Sequence, residues 1–147
     1  MVNLGLSEEQ ADVRRLARDF VTREIAPHVI AWDRAEEVDR GIVKKLGEIG
    51  FLGLTIPEEY GGYASGGASD YIAMVVATAQ LSRGSLGAGG SLITRPEILA
   101  RALEAGGTEE QKQEWMPKLA TAEVMNAVAV TEPDFGSDVA GVKVTAT

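Results

Sequence analysis

The 147-residue sequence has no cysteine, which removes disulfide, zinc-finger and thiol chemistry together and suits a reducing compartment. It holds a single histidine, His28. With no His or Cys partner nearby and no Ser nucleophile beside it, His28 is read as a surface or capping residue, and no metal site is assigned. Clustered Lys and Arg are missing too. A net charge of −8 and a pI near 4.7 argue against a nucleic-acid partner, which needs a basic patch. No long apolar run occurs, and a mean hydropathy of −0.01 speaks against a membrane protein. The N-terminus lacks the charged and apolar regions of a secretory signal, so a cytoplasmic location is expected. Neither G-x-G-x-x-G after a strand nor Gly-Lys-Ser/Thr occurs, so the glycines at 84, 87, 89 and 90 are read as close helix packing rather than a phosphate loop.

What remains is the composition of one globular domain, 45% apolar and 24% charged, with repeated helix signals. Ser7-Glu8-Glu9-Gln10 is a capping box that opens a helix with Val13, Leu16, Ala17, Phe20 and Val21 on one face, running to about Ile25. Pro27 interrupts it, and a short helix from Pro27 to about Arg34 follows. Asp39 caps a third helix bearing Ile42, Val43, Leu46 and Ile49, closed by Gly50. The run 51–57, broken by Gly and Pro, is expected to cross the core as an extended segment. Ser69 is read as the cap of a helix to about Arg83 whose apolar residues wrap nearly every face. Leu92 to Leu103 continue as a helix kinked at Pro96 and ended by Gly106-Gly107. Arg95 within it is either a snorkelling surface arginine or a carboxylate binder. Thr108-Glu109-Glu110-Gln111 is a second capping box, opening a helix with Trp115, Met116 and Leu119 inward and Pro117 distorting its middle.

The period changes only at Asn126. Residues 126–130 alternate as a strand does, and 142–145 repeat the alternation. Between them, Thr131-Glu132-Pro133-Asp134-Phe135-Gly136-Ser137-Asp138 forms a Pro/Gly turn with hydroxyls at Thr131 and Ser137. Such a turn is either an ordinary strand exit or the mouth of a site for an anionic or heteroaromatic ligand. Two strands with no third are marginal in water, so a longer polypeptide with a continuing sheet domain is expected. The fold class is mainly α: an orthogonal or up-down domain of about six helices over 1–125, then one or two strands of an incomplete β-domain over 126–147.

Ile56-Pro57-Glu58-Glu59-Tyr60-Gly61-Gly62, Gly107-Thr108-Glu109-Glu110-Gln111-Lys112, Val130-Thr131-Glu132-Pro133 and Gly136-Ser137-Asp138, in this order over the whole chain, resemble the acyl-CoA dehydrogenase family. The resemblance implies a flavoprotein that oxidises the Cα–Cβ bond of an acyl-CoA thioester with FAD. It also implies an electron-transfer flavoprotein as acceptor and a homo-oligomer. Carried over, Val128, Val130, Thr131, Gly136 and Ser137 form the flavin-binding stretch: Thr131 hydrogen-bonds the isoalloxazine, and Ser137 lies near pyrophosphate and substrate. Val128 stands where several members have an aromatic residue, and Asp134-Phe135 where many have Gly-Ala. Arg95 and Thr94 bear on acyl-chain choice, in a run similar to the methylsuccinyl-CoA dehydrogenase branch. The family's general-base glutamate is expected beyond residue 147, so no catalytic residue is assigned, and these 147 residues alone are expected neither to retain FAD nor to turn over. Two other readings stay open: an acyl-CoA oxidase or related flavin monooxygenase, and a non-catalytic helical interaction module.

Overall fold

The structure, a computed structural model, describes residues 5–145, with the side chains of Arg95 and Pro96 outside the described residues. Helix α1, Glu8–Phe20, starts at the expected capping box: the Gln10 N–H donates to Ser7 Oγ at 3.2 Å, and the Ser7 N–H donates to Gln10 Oε1 at 3.0 Å. One further turn, Val21–Ile25, is π-helical, and the Ala26 N–H donates to the Val21 carbonyl at 2.8 Å. This widened turn delivers the chain to Pro27, whose ring cannot continue a helix. The chain then restarts as α2, Val29–Ala35. His28 is exposed and stacks on Trp32, ring centroids 5.7 Å apart. Helix α3, Arg40–Glu48, begins where the Gly41 N–H donates to Asp39 Oδ1 at 2.8 Å. It ends at Gly50, whose φ of 82° is the left-handed value a glycine takes without steric cost.

Helices α4, Ala68–Gly84, and α5, Leu86–Leu92, follow, and α5 passes through a π-helical stretch, Ile93–Ala100, into α6, Arg101–Gly106. Pro96 contributes no N–H, so the ladder through this rod widens without breaking. Helix α7, Glu109–Ala120, opens on the second capping box: the Thr108 N–H donates to Gln111 Oε1 at 2.9 Å and the Gln111 N–H to Thr108 Oγ1 at 3.3 Å. Counted as rods, with α1 plus its π turn as one and α5 through α6 as another, the described residues give the expected six.

Two apolar clusters hold the rods together. The larger joins α1, α3, α4 and α5 through Ala17, Phe20, Ile25, Leu46, Phe51, Leu81 and Leu92. The smaller gathers Ile56, Tyr60, Ala100, Met116 and Leu119. Burial of the Leu, Ile, Phe and Met side chains among them stabilises the fold by about 1.5–3 kcal/mol each. Gly84, Gly87 and Gly89 serve packing, as read from sequence, and a Cβ on Gly89 would stand 2.1 Å from Ser82 Oγ, whereas Gly90 has nothing within 4 Å of its Cβ direction.

Several expectations are corrected. Residues 51–57 are not extended. Phe51–Gly53 coils as a 3-10 turn, and the Gly53 carbonyl accepts from the Ile56 and Tyr63 N–H groups at 3.1 and 2.9 Å. These bonds, with an isolated bridge between Pro57 and Ala64, satisfy backbone in a buried stretch that joins no strand ladder among the described residues. Helix α4 is capped by Gly67, not Ser69, because the Ser69 hydroxyl is engaged by Gln10 of α1. That helix is also one-sided, burying Met74, Ala77 and Leu81 while Ile72 and Val75 stay exposed. Leu16 is exposed, and so is Trp115, whose ring is covered by Lys118 Nζ at 4.9 Å from its centroid. Neither expected strand, 126–130 or 142–145, forms a ladder among the described residues. Among the described residues no other strand lies alongside them, and the N–H groups of Lys143 and Val144 donate to the Glu132 carboxylate.

Candidate functional site

After α7 the chain turns at 121–124 and then runs from 125 to 132 with no helix, turn, bend or ladder. Its start is fixed to the helical body by Asn126, whose Nδ2 donates to the Thr94 carbonyl of the π-helical stretch at 3.1 Å. Asn126 Oδ1 is buried without a partner, and so is Glu97 Oε2 on the same stretch. Beyond this anchor, no backbone N–H of residues 127–131 finds an acceptor among the described residues. Val128 and Val130 are 43% and 45% exposed. The unpaired donors and exposed valines of this segment offer a polar heteroaromatic ring hydrogen-bond donors and apolar surface.

The edge ends in a closed turn. The Glu132 N–H donates to the Phe135 carbonyl at 2.8 Å, and the Phe135 N–H returns to the Glu132 carbonyl at 3.2 Å. Thr131 is exposed at its head. Gly136 comes back beside it, such that a Cβ there would stand 3.8 Å from Thr131 Cγ2. Ser137 is exposed on the next residue. The structure therefore brings Thr131 and Gly136 together and places Ser137 next to them in the chain. No hydrogen bond joins Thr131 to Ser137 among the described residues. The Arg95 backbone lies in the π-helical stretch to which Asn126 is tied, and its side chain is outside the described residues.

Glu132 is the residue that sequence reasoning missed. Its carboxylate accepts from both the Lys143 N–H (Oε2, 2.9 Å) and the Val144 N–H (Oε1, 2.8 Å). Phe135 packs directly on Gly141, where a Cβ would stand 2.4 Å from the ring, and Lys143 Nζ lies 5.1 Å from the ring centroid. The only sequence signal was an acid directly after Thr131. Asn126 was equally silent, a polar residue opening an apolar run.

Away from this segment, two linkages hold the helical body in register. The buried Tyr60 hydroxyl donates to both carboxylate oxygens of Glu109 at 3.2 and 3.1 Å. Burial, and then the Glu109 carboxylate, push its pKa above the usual tyrosine value. Lys45 of α3 donates to Glu24 of the first π turn. Their hydrogen bond and attraction lower the Glu24 pKa and raise that of Lys45. Among the described residues no group of acids and histidines could hold a metal ion, and no helix is long and apolar enough to cross a membrane.

Helical rods in this order, carrying this edge and turn, define a class, and comparison with known proteins gives the same one. The pattern "Acyl-CoA dehydrogenase, N-terminal domain" matches residues 7–123, and the chain belongs to the acyl-CoA dehydrogenase family. Within it, the chain is 44% identical over 140 residues to the (2S)-methylsuccinyl-CoA dehydrogenase of Cereibacter sphaeroides, covering 95% of this chain and 25% of that protein. It superimposes on glutaryl-CoA dehydrogenase from Mycobacterium smegmatis with a TM-score of 0.84 at 33% identity, covering 97% of this chain and 36% of that one. An acyl-CoA dehydrogenase complexed with FAD from Bacillus anthracis gives a TM-score of 0.82 at 32% identity, covering 97% and 24%. The chain thus spans about a quarter to a little over a third of the length of these relatives.

Proposed function

We propose that residues 1–125 are the N-terminal helical domain, and 126–147 the opening of the middle β-domain, of an FAD-dependent dehydrogenase that introduces a Cα–Cβ double bond into an acyl-CoA thioester. The observation that carries this reading is the unpaired edge 127–131, ending in Thr131 and the Glu132–Phe135 turn, on a helical body of this family. Bound FAD supplies a hydride acceptor. The residues of this chain do the holding. The Thr131 hydroxyl and N–H would donate to polar atoms of the ring, Val128 and Val130 would supply apolar contact, and the backbone around Gly136 and Ser137 would donate to phosphate oxygens. Thr94 and Arg95 bear on the acyl end, because Asn126 ties their helical stretch to the same edge. Ser137, exposed on the residue after Gly136, would lie near the substrate as well as the pyrophosphate. No acid of this chain is assigned the α-proton; a general base has to lie within hydrogen-bond reach of it, and the family resemblance puts that glutamate beyond residue 147. Electrons pass to an electron-transfer flavoprotein, and the complete enzyme is a homo-oligomer working in the cytoplasm.

A visible-absorbance titration tests this. The complete protein is expected to bind FAD stoichiometrically and to lose flavin absorbance when a suitable acyl-CoA is added. The 147 residues alone are expected not to retain FAD. A complete protein that binds no flavin, or a flavin unresponsive to every acyl-CoA, would overturn the reading.

A further inference from the structure

Glu132 has no role in the chemistry above, yet it is the most heavily used side chain of the segment. Its two carboxylate oxygens take one backbone N–H each from Lys143 and Val144, at 2.9 and 2.8 Å. Its own backbone closes the turn with Phe135 in both directions. Two charge-assisted bonds from one carboxylate are strong by protein standards, roughly twice a neutral pair. Around this clamp, Phe135 lies on Gly141, a position where any Cβ would meet the ring at 2.4 Å. Lys143 closes over the same ring. Thr131 sits one residue before the clamp, and Gly136, beside Thr131, one residue after the turn.

We propose that Glu132 is a positioning residue: by fastening 143–144 to the turn it fixes the direction in which Thr131 and Ser137 present their hydroxyls to the flavin. The inference rests on the flavin reading of Thr131. The clamp needs a side chain long enough to reach the second segment and an acceptor at each of two oxygens. Glutamate meets both conditions. Glutamine keeps the reach but offers one acceptor and one donor, so it retains one of the two bonds and sets an N–H against the other. Alanine retains neither. The order expected at the flavin is therefore Glu132, then E132Q, then E132A. The helical body does not enter, because neither apolar cluster includes a residue of 131–145.

The experiment uses the complete protein and reads FAD affinity together with the visible spectrum of the holoprotein that forms, for the wild type, E132Q, E132A and T131A. The FAD dissociation constant is expected to rise roughly tenfold in E132A, in line with a lost hydrogen bond to a charged group. E132Q should fall between, and the flavin band should shift in both. General loss of structure would reduce holoprotein yield while leaving that band where it was, and helical melting by circular dichroism should be unchanged. In the 147-residue chain, the amide protons of Lys143 and Val144 should move upfield in E132Q. Wild-type affinity and spectrum in both Glu132 variants, with T131A weakened, would overturn the positioning role and leave the flavin reading standing. Unmoved amide protons would overturn the clamp itself. Wild-type behaviour in T131A as well as in E132A would overturn the flavin reading, and this inference with it.

Discussion

Gln10 Nε2 of α1 donates to Ser69 Oγ of α4 at 3.1 Å, while Gln10 Oε1 accepts from the Ser7 N–H at 3.0 Å. One buried side chain thus closes the cap of the first helix and joins it to the first turn of the fourth.

Because Gln10 serves both ends, Gln10→Ala should cost more than Ser69→Ala. The first loses the cap's return bond, the cross-helix bond and a buried amide's packing, about 1–3 kcal/mol together. The second loses only the Ser69 hydroxyl, while Gln10 Nε2 keeps its longer bond to the Ser69 carbonyl at 3.4 Å, and should cost about 0.5–1.5 kcal/mol. Thermal unfolding of the two variants beside the wild type reads the difference. Equal melting temperatures for both would show that the bond to the Ser69 hydroxyl carries all of the effect.

Ser69 also shows where the sequence misleads. A serine before an apolar run is an ordinary cap signal, and nothing local to 66–72 says that a glutamine about sixty positions earlier will claim its hydroxyl. The capping boxes at Ser7 and Thr108 were legible because both partners lie within four residues of each other. So were the stop at Gly50 and the interruption at Pro27, which are set by backbone sterics alone. Inward faces were legible where the helical period was clean, as at Ile42, Val43 and Leu46, and not at Leu16 or Trp115, where the partner surface decides. The same division holds at the site. Thr131, Gly136 and Ser137 stood out as a turn, whereas Asn126 and Glu132 act on Thr94 and on 143–144, contacts that no window of adjacent residues contains.

Two glycines should respond oppositely to alanine. A Cβ on Gly62 would stand 1.9 Å from the Ile56 carbonyl oxygen, a backbone atom that cannot swing away. Gly90, inside α5, has nothing within 4 Å of its Cβ direction. Gly62→Ala is expected to destabilise by about 3 kcal/mol or more, as overpacking against a fixed neighbour does. Gly90→Ala should stabilise by about 0.5–1 kcal/mol through helix propensity and reduced unfolded-state entropy. Urea unfolding midpoints check both signs.

Tyr60 gives the fold an alkaline dependence. Burial and the bond to Glu109 raise its pKa above the usual 10.0, so the folded state favours the neutral phenol more than the unfolded chain does. That contribution is complete below about pH 10 and is lost as the pH rises through the raised folded value. Tyr60→Phe removes both the hydrogen bond and the titration. The variant should be less stable than the wild type near neutrality, with the gap narrowing above pH 10. Denaturant unfolding across that range measures it, and a constant gap would show that Tyr60 does not titrate with folding.

Asn126 distinguishes a lost bond from a buried charge. Its Nδ2 bond to the Thr94 carbonyl is offset within the same side chain by an Oδ1 that is buried and unpartnered. Asn126→Ala removes both together, so its cost should be small, about 1 kcal/mol or less. Asn126→Asp keeps the shape but sets a carboxylate with no donor against the Thr94 carbonyl, a buried charge facing a lone pair, and should cost about 2 kcal/mol or more. The aspartate variant should recover toward the alanine one as acidification neutralises the carboxyl. Stability curves for the two variants at neutral and acidic pH decide the matter: an aspartate variant no worse than the alanine one at neutral pH would mean that the link between Asn126 and the π-helical stretch is open to water.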